Sequence, residues 1–378
     1  MGKLHLWLGL ASGLVVLVVT ITGSLLVFEK EIDEAVNHDF YFVQPQAQRV
    51  SLDEMLNNVA ALHPGFTVTR MTLETDAPER SVLFLSKKGK ALQYTAVNPY
   101  TGKVIRSVNY NKRFYTVVLQ LHRTLCMNET GKVITGISCL IFLIMIGTGL
   151  VLWWPRRWRG LKQRLKVKWP ASRKRLNWDL HAVGGFYLHL VMFAIAFTGL
   201  TWAYKWFNDG IFIVFDGKPY KKMEAPANQV QQPVAVGFYE QLYREANRQL
   251  PYKGELRFVL PEHDSLAIGV FKENYEASVS NVVDILYFEK GTGRLLKDHL
   301  YRNASTGWKV RRLMYPIHTG QIYGWPTRII AFIACLVAAS LPITGLYIWL
   351  GRKKKSARAG KKEPLPVSGK IPQPAVVV

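Results

Sequence analysis

The stretch LPITGLYIWLGRKK, Leu341 to Lys354, is an apolar run that ends in a block of lysine and arginine. Alone it reads as the last turns of a membrane helix meeting the cytoplasm. Its Thr344-Gly345 pair carries more, because the same dipeptide recurs late in three other apolar runs, TITGSLLVF, IGTGLVLWW and AFTGLTWAY. These hold Thr22-Gly23, Thr148-Gly149 and Thr198-Gly199.

Counting back from each pair exposes a repeat. His5 to Thr22 spans 17 residues, as does His181 to Thr198, and His122 to Thr148 spans 26, as does His318 to Thr344. Gly9 and Gly185 each follow their histidine by four residues, and Cys139 and Cys335 follow theirs by seventeen. Trp153 and Trp349 each follow their threonine by five. The chain therefore reads as two copies of one unit: helix, outer domain, helix. Both copies start on the same side, so the repeats are parallel and related by an axis along the membrane normal.

Composition agrees with a membrane protein. Of 378 residues, 49% are hydrophobic, yet the net charge is +23. Four apolar runs are each long enough to cross a bilayer. The first is too long, and lacks the small-residue cleavage site, for a cleaved signal peptide. The expected order is transmembrane helix 1 (1–28), an outer domain (29–131), helix 2 (132–154), a basic loop (155–181), helix 3 (182–206), a second outer domain (207–325), helix 4 (326–350) and a basic tail (351–378).

Charge sets the orientation. The stretch from Pro155 to His181 has ten Lys/Arg against one acid, and Gly351 to the end has eight against one. Glu29 to Gly131 has twelve against eleven, and Lys205 to Trp325 sixteen against thirteen. The positive-inside rule then places both termini and the basic loop in the cytoplasm. The excess charge is accounted for by topology and anionic lipid, so no nucleic-acid partner is needed.

Each outer segment opens with a helical pattern, SLDEMLNNVAALHPG and AVGFYEQLYREANRQLP. Alternating runs and a Thr-Gly turn follow, NPYTGKV at Asn98–Val104 and EKGTGRL at Glu289–Leu295. The fold class expected is a four-helix transmembrane bundle from two parallel repeats, with two small α+β outer domains.

At these residues the chain resembles the PepSY-associated transmembrane helix proteins. NPYTGKV looks like the PepSY strand-turn motif, and LHLWLGL, LHRTL, DLHAVGG and IHTGQIYG resemble that family's four histidine-bearing segments. Within the family the layout is most similar to bacterial inner-membrane siderophore reductases of the ferrioxamine type. That resemblance implies b-type haem and reduction of ferric siderophore in the periplasm, with the outer domains PepSY-like.

The residues themselves support a cofactor. His5 and His181 begin their helices and fall at the inner surface, facing each other across the repeat axis. His122 and His318 do the same near the outer surface. Two imidazoles across an axis suit the axial positions of a haem. One pair per leaflet predicts two haems b, held non-covalently because no Cys-x-x-Cys-His is present. A lone histidine at a helix end ordinarily snorkels, but four in register point to a metal cofactor. Zinc would need further Cys or carboxylate ligands, and neither pair has an obvious set.

His189 lies eight residues after His181, roughly 12 Å deeper along a helix. It is a candidate to replace His181 as ligand, to bond a propionate, or to carry protons, with Gly13 at the matching place in the first repeat leaving space for a ring. The Thr-Gly pairs at Thr22, Gly23, Thr148, Gly149, Thr198, Gly199, Thr344 and Gly345, with Gly9, Gly13 and Gly185, are candidates for close haem contact or tight helix packing. Trp202 and Trp206 belong to the interfacial aromatic belt and also fall near the outer pair. His63 suits a helix-capping role, and His38, His263 and His299 lack partners at ligand spacing.

The first functional expectation is a di-haem electron carrier reducing ferric siderophore outside the inner membrane. No Gly-x-Gly-x-x-Gly dinucleotide site occurs, so the donor is a quinol, a reduced flavin or a separate cytoplasmic reductase. The alternative is a non-enzymatic PepSY sensor or regulatory scaffold, and a transporter is disfavoured by scarce mid-membrane polar groups.

Overall fold

The computed structural model describes residues 1–155, 157–230 and 232–359, with side chains to Arg352. The remainder of the basic tail expected over 351–378 lies outside the described residues. The chain runs through α1 (Gly2–Val27), α2 (Glu29–Val36), α3 (His38–Tyr41) and α4 (Leu52–Leu62). Four strands follow, β1 (Thr67–Glu74), β2 (Val82–Lys88), β3 (Ala91–Val97) and β4 (Val104–Asn109), then α5 (Phe114–Thr124) and α6 (Asn128–Trp153). A loop holding α7 (Leu161–Arg164) leads to α8 (Arg173–Ala203), α9 (Lys205–Asp216) and α10 (Phe238–Gln249). Strands β5 (Glu255–Val259), β6 (Ile268–Glu273), β7 (Val283–Phe288) and β8 (Leu295–His299) precede α11 (Thr306–Thr319) and α12 (Trp325–Ala359).

Helices α1, α6, α8 and α12 are long and apolar enough to cross a membrane. Their outward side chains, such as Leu14 and Leu190, remain exposed, as expected where lipid rather than protein is the neighbour. Small residues sit where the helices meet: Ala334 and Ala338 are buried with Met192. A methyl at Gly13 would lie 3.3 Å from Pro342 Cβ, so α1 and α12 approach closely there. Helix α8 begins at Arg173, nine residues before the expected start at 182. Pro170 and Ser172 define that start, and Arg and Lys are good helix formers once it is made.

The segments between the spanning helices, expected as two domains, meet in one sheet. All eight strands form one antiparallel sheet in the order β4-β3-β2-β1-β5-β6-β7-β8. β1 pairs with β5, joining Arg70 to Val259 and Thr72 to Arg257. Helices α4 and α10 pack on one face over a shared core that includes Leu52, Met55, Phe84, Phe258 and Phe288. Neither half could bury its apolar face as well alone.

The two helices also cap each other. Asp53 accepts from the backbone N–H of Tyr239 (3.2 Å) and Glu240 (3.0 Å) at the start of α10. Glu240 accepts from Leu52 N (3.2 Å) at the start of α4 and from Arg49 Nη2. Each carboxylate thus meets the positive end of the other helix.

Between sheet and bundle lie α5 and α11. Helix α5 packs on α1, and α11 on α8 and α9. The turn after α5 runs through left-handed backbone at Leu125, Cys126 and Asn128, with φ of 49°, 58° and 52°. A methyl at Gly131 would collide with Thr124 O, so the reversal into α6 requires glycine there. α11 instead ends at Gly320, with φ of 77°.

Candidate functional site: two histidine pairs in the helix bundle

The four histidines meet as two pairs, one at each end of the bundle. At the loop end, the His5 and His181 ring centres are 6.4 Å apart with planes at 86°. At the sheet end, those of His122 and His318 are 6.1 Å apart with planes at 62°. His5 sits near the start of α1, whereas His122 contacts Val19 and Thr22 near its end. Fourteen to seventeen residues of α1 separate the two levels, roughly 21–26 Å along a helix.

Each Thr-Gly pair seats one histidine. His5 Nδ1 is 2.9 Å from Thr148 Oγ1, and His181 Nδ1 is 2.9 Å from Thr344 Oγ1. His122 Nδ1 bonds Val19 O at 2.9 Å and lies 3.3 Å from Thr22 Oγ1. His318 Nδ1 bonds Ile195 O at 2.8 Å and lies 3.4 Å from Thr198 Oγ1. The glycines allow this approach. A methyl added to Gly23, Gly149, Gly199 or Gly345 would stand 3.2, 3.3, 3.1 or 3.4 Å from the Cε1 of His122, His5, His318 or His181. Val19 and Ile195 lie four residues before Gly23 and Gly199, so a bare Cα exposes the carbonyl one turn back.

These contacts fix the tautomer. A backbone carbonyl only accepts, so His122 and His318 carry their proton on Nδ1. At the other end, Thr148 donates to Met145 O (3.2 Å) and Thr344 to Ser340 O (2.8 Å). With its single proton used, each hydroxyl accepts from Nδ1–H. In the neutral ring each of the four therefore holds an unprotonated Nε2. Among the described residues no hydrogen bond reaches those Nε2 atoms.

The pairs fit a metal macrocycle on distance. A metal–imidazole bond of roughly 2 Å on each side, plus about 1 Å from nitrogen to ring centre, gives roughly 6 Å between ring centres. Nδ1–H held by an oxygen, with Nε2 left for metal, is the usual ligand arrangement. Among the described residues no group of three or more His, Cys, Asp or Glu is placed to hold a bare ion.

A family model described as the PepSY-associated TM region matches residues 3–352. The chain belongs to this family. No curated protein matches the sequence. Family membership and the four apolar helices make it a transmembrane protein.

The remaining candidates of the family member fall elsewhere. His189 is not brought to either pair: its Nδ1 contacts Phe186 O on its own helix, and its ring stacks on Phe186 at 5.6 Å. Gly9 and Gly185 face Met145 and Leu341, as Gly13 faces Pro342. The Thr-Gly residues touch the histidines directly. His63 Nε2 is 2.7 Å from Ser107 Oγ, His38 stacks on Phe42, and His299 meets Trp308 edge-on. Trp202 adjoins the sheet-side pair, its ring centre 5.3 Å from that of His318. Trp206 stacks instead near Tyr204 and Phe207.

The carbonyls of Val19 and Ile195 were not legible beforehand, since every residue has one. Cys335 Sγ lies 3.8 Å from the methyl position at Gly23, beside His122.

Proposed function

We propose that the protein is a di-haem reductase of the bacterial inner membrane that carries electrons across the bilayer to ferric siderophore in the periplasm. The observation that carries this reading is the double arrangement of imidazoles: two pairs, each with Nδ1–H fixed and Nε2 free, at opposite ends of one bundle. His5 and His181 would hold one haem b, and His122 and His318 the other. Bound haem would supply one-electron chemistry at a potential set by its ligands and surroundings. The chain's own part is to orient the rings, to keep their protons on Nδ1, and to seal the pairs in an apolar bundle.

The matched spacings and the mirrored strand order support an internal duplication, which would place both pairs on one two-fold axis. The basic loop supports cytoplasmic termini and contact with anionic lipid. Electrons would enter on that side from a quinol, a reduced flavin or a separate reductase, and leave beneath the sheet. Reduction to Fe(II) would weaken binding by hard oxygen donors and release the metal.

The test is a reduced-minus-oxidised absorbance spectrum of the purified full-length protein. Soret and α bands of b-type haem, at two haems per chain, are the expected result. Their absence from protein produced with ample haem would refute the reading and leave the sensor alternative.

A further inference from the structure

Arg311 is a half-buried cation near the sheet-side pair. It precedes His318 by seven residues on α11, and the i, i+4, i+7 spacing puts Arg311, Tyr315 and His318 on one helix face. Its guanidinium carbon lies 5.1 Å from the ring centre of Trp202, the same ring that adjoins His318. Its Nε donates to Asn208 Oδ1 at 2.6 Å. The adjacent Arg312 donates from Nε to Asn281 O at 3.0 Å.

Neither arginine has a carboxylate within ion-pair distance among the described residues. Arg80, Arg113 and Arg328, on the same side of the bundle, pair with Glu34, Asp33 and Glu31. Burial pushes Arg311 and Arg312 below the usual guanidinium range. Glu273 acts on Arg312 only from beyond ion-pair distance, and two crowded cations so weakly compensated are costly unless a further anion joins them. Guanidinium groups take carboxylates in particular, through paired N–H donors.

We propose that Arg311, with Arg312 beside it, receives the propionate carboxylates of the haem held by His122 and His318. This rests on the haem reading above. Trp202 forms the wall between ligand and cation, touching His318 with one part of its ring and carrying the guanidinium on another. A haem exposes its carboxylates along one edge. The assignment therefore turns that edge toward α11 and the sheet, away from the apolar centre of the bundle, where ionised groups would be most costly. The first half offers no equivalent, because Tyr115 and Thr116 stand at the positions 196 residues earlier, the spacing between His122 and His318.

The experiment is a potentiometric titration of full-length protein in detergent, followed by absorbance. His122→Ala first identifies which haem belongs to the sheet-side pair. In Arg311→Leu that haem should titrate at a lower midpoint potential, because loss of the cation disfavours the reduced state, while the other haem is unmoved. Arg311→Lys should restore most of the shift. Should Arg311→Leu lose the haem outright, Arg311→Gln and Arg311→Lys carry the comparison, with retention expected in the lysine variant. Normal haem content with an unmoved midpoint in both Arg311→Leu and the Arg311→Leu/Arg312→Leu double variant would overturn the assignment. So would an unmoved midpoint combined with weaker equilibrium binding of ferric citrate, which would give the arginines to an incoming anionic chelate. A wild type without haem bands would instead refute the reading beneath.

Discussion

The two histidine pairs share matched sequence spacings and are held in different ways. At the loop end both histidines ride on spanning helices, α1 and α8, and each Nδ1–H is held by a threonine hydroxyl, with the Leu341 carbonyl a further partner of His181. At the sheet end both ride on short helices, α5 and α11, that lie against the bundle, and backbone carbonyls hold them with threonine as a more distant neighbour. The His5 ring is thus placed by a side chain that mutation can remove, while His181 shares its threonine with a backbone carbonyl. The sheet-side ring is placed by backbone, which is protected provided glycine leaves the approach open. At the sheet-side pair the Trp202 ring lies beside His318 and carries the Arg311 guanidinium, which has no carboxylate within ion-pair distance among the described residues.

The largest expected effect tests the pairing itself. His5→Ala and His181→Ala should each remove the same haem, taking content from two per chain to one, and His122→Ala and His318→Ala should each remove the other. His189→Ala should keep both, because His189 meets Phe186 rather than a partner histidine. Pyridine haemochrome quantification of purified variants measures this. Loss of the His5-linked haem in His189→Ala, with retention in His181→Ala, would break the loop-side pair as drawn.

Threonine should separate the two ends. Removing an outer partner of a metal-bound histidine typically costs 10–100-fold in affinity. Thr148→Val should weaken loop-side haem retention by about that factor, and Thr344→Val by less, since the Leu341 carbonyl remains beside His181. Thr22→Val and Thr198→Val should do much less, since the Val19 and Ile195 carbonyls remain. Haem transfer to excess apomyoglobin, timed for each variant, gives the comparison. Equal effects at both ends would show that the carbonyl contacts do not decide the sheet-side geometry.

Much of this was visible in the sequence, for identifiable reasons. The four spans are long apolar runs, and the histidines emerged because a duplicated chain repeats its spacings. Helices α4 and α10 followed from their apolar periodicity. What stayed hidden depends on contacts between distant segments. The pairing of β1 with β5 merges the expected two domains into one sheet, and no local pattern specifies which edge strands will meet. His189 is legible only as a possible replacement for His181 or as a propionate or proton-transfer group, because depth along a helix can be read while the face it presents depends on the neighbours. The glycines of the Thr-Gly pairs read as sites of close haem contact or tight helix packing, and in the structure they admit the imidazole that would hold a haem.

Smaller effects should grade the glycines. A methyl at Gly199 would lie 3.1 Å from His318 Cε1, tight enough that the ring must give by a few tenths of an ångström, whereas one at Gly345 would lie 3.4 Å from His181 Cε1, near ordinary contact. Gly199→Ala should therefore shift the sheet-side haem spectrum or loosen its retention, and Gly345→Ala should leave the loop-side haem near wild type. Electron paramagnetic resonance of the oxidised protein reports the axial geometry of each haem. The reverse order would mean that α8 yields more readily at Gly199 than α12 at Gly345.

The smallest effect concerns the turns that follow the sheet-side ligands. The turn after His122 uses left-handed backbone at Leu125, Cys126 and Asn128, each with a Cβ, while α11 beyond His318 ends on Gly320. Left-handed backbone costs an ordinary residue roughly 1–2 kcal/mol, and glycine removes that strain while adding freedom to the unfolded chain. Cys126 is exposed and has little packing to lose. Cys126→Gly should thus raise stability by up to about 1 kcal/mol, read as a small rise in the thermal midpoint in detergent with both haem spectra unchanged. Gly320→Ala should do the opposite and more strongly, because its added methyl would lie 2.8 Å from Thr327 O and 2.7 Å from Ala331 Cβ. If the two variants moved the midpoint equally, strain in these turns would not distinguish the supports of His122 and His318, and the asymmetry between them would rest on Trp202 and Arg311 alone.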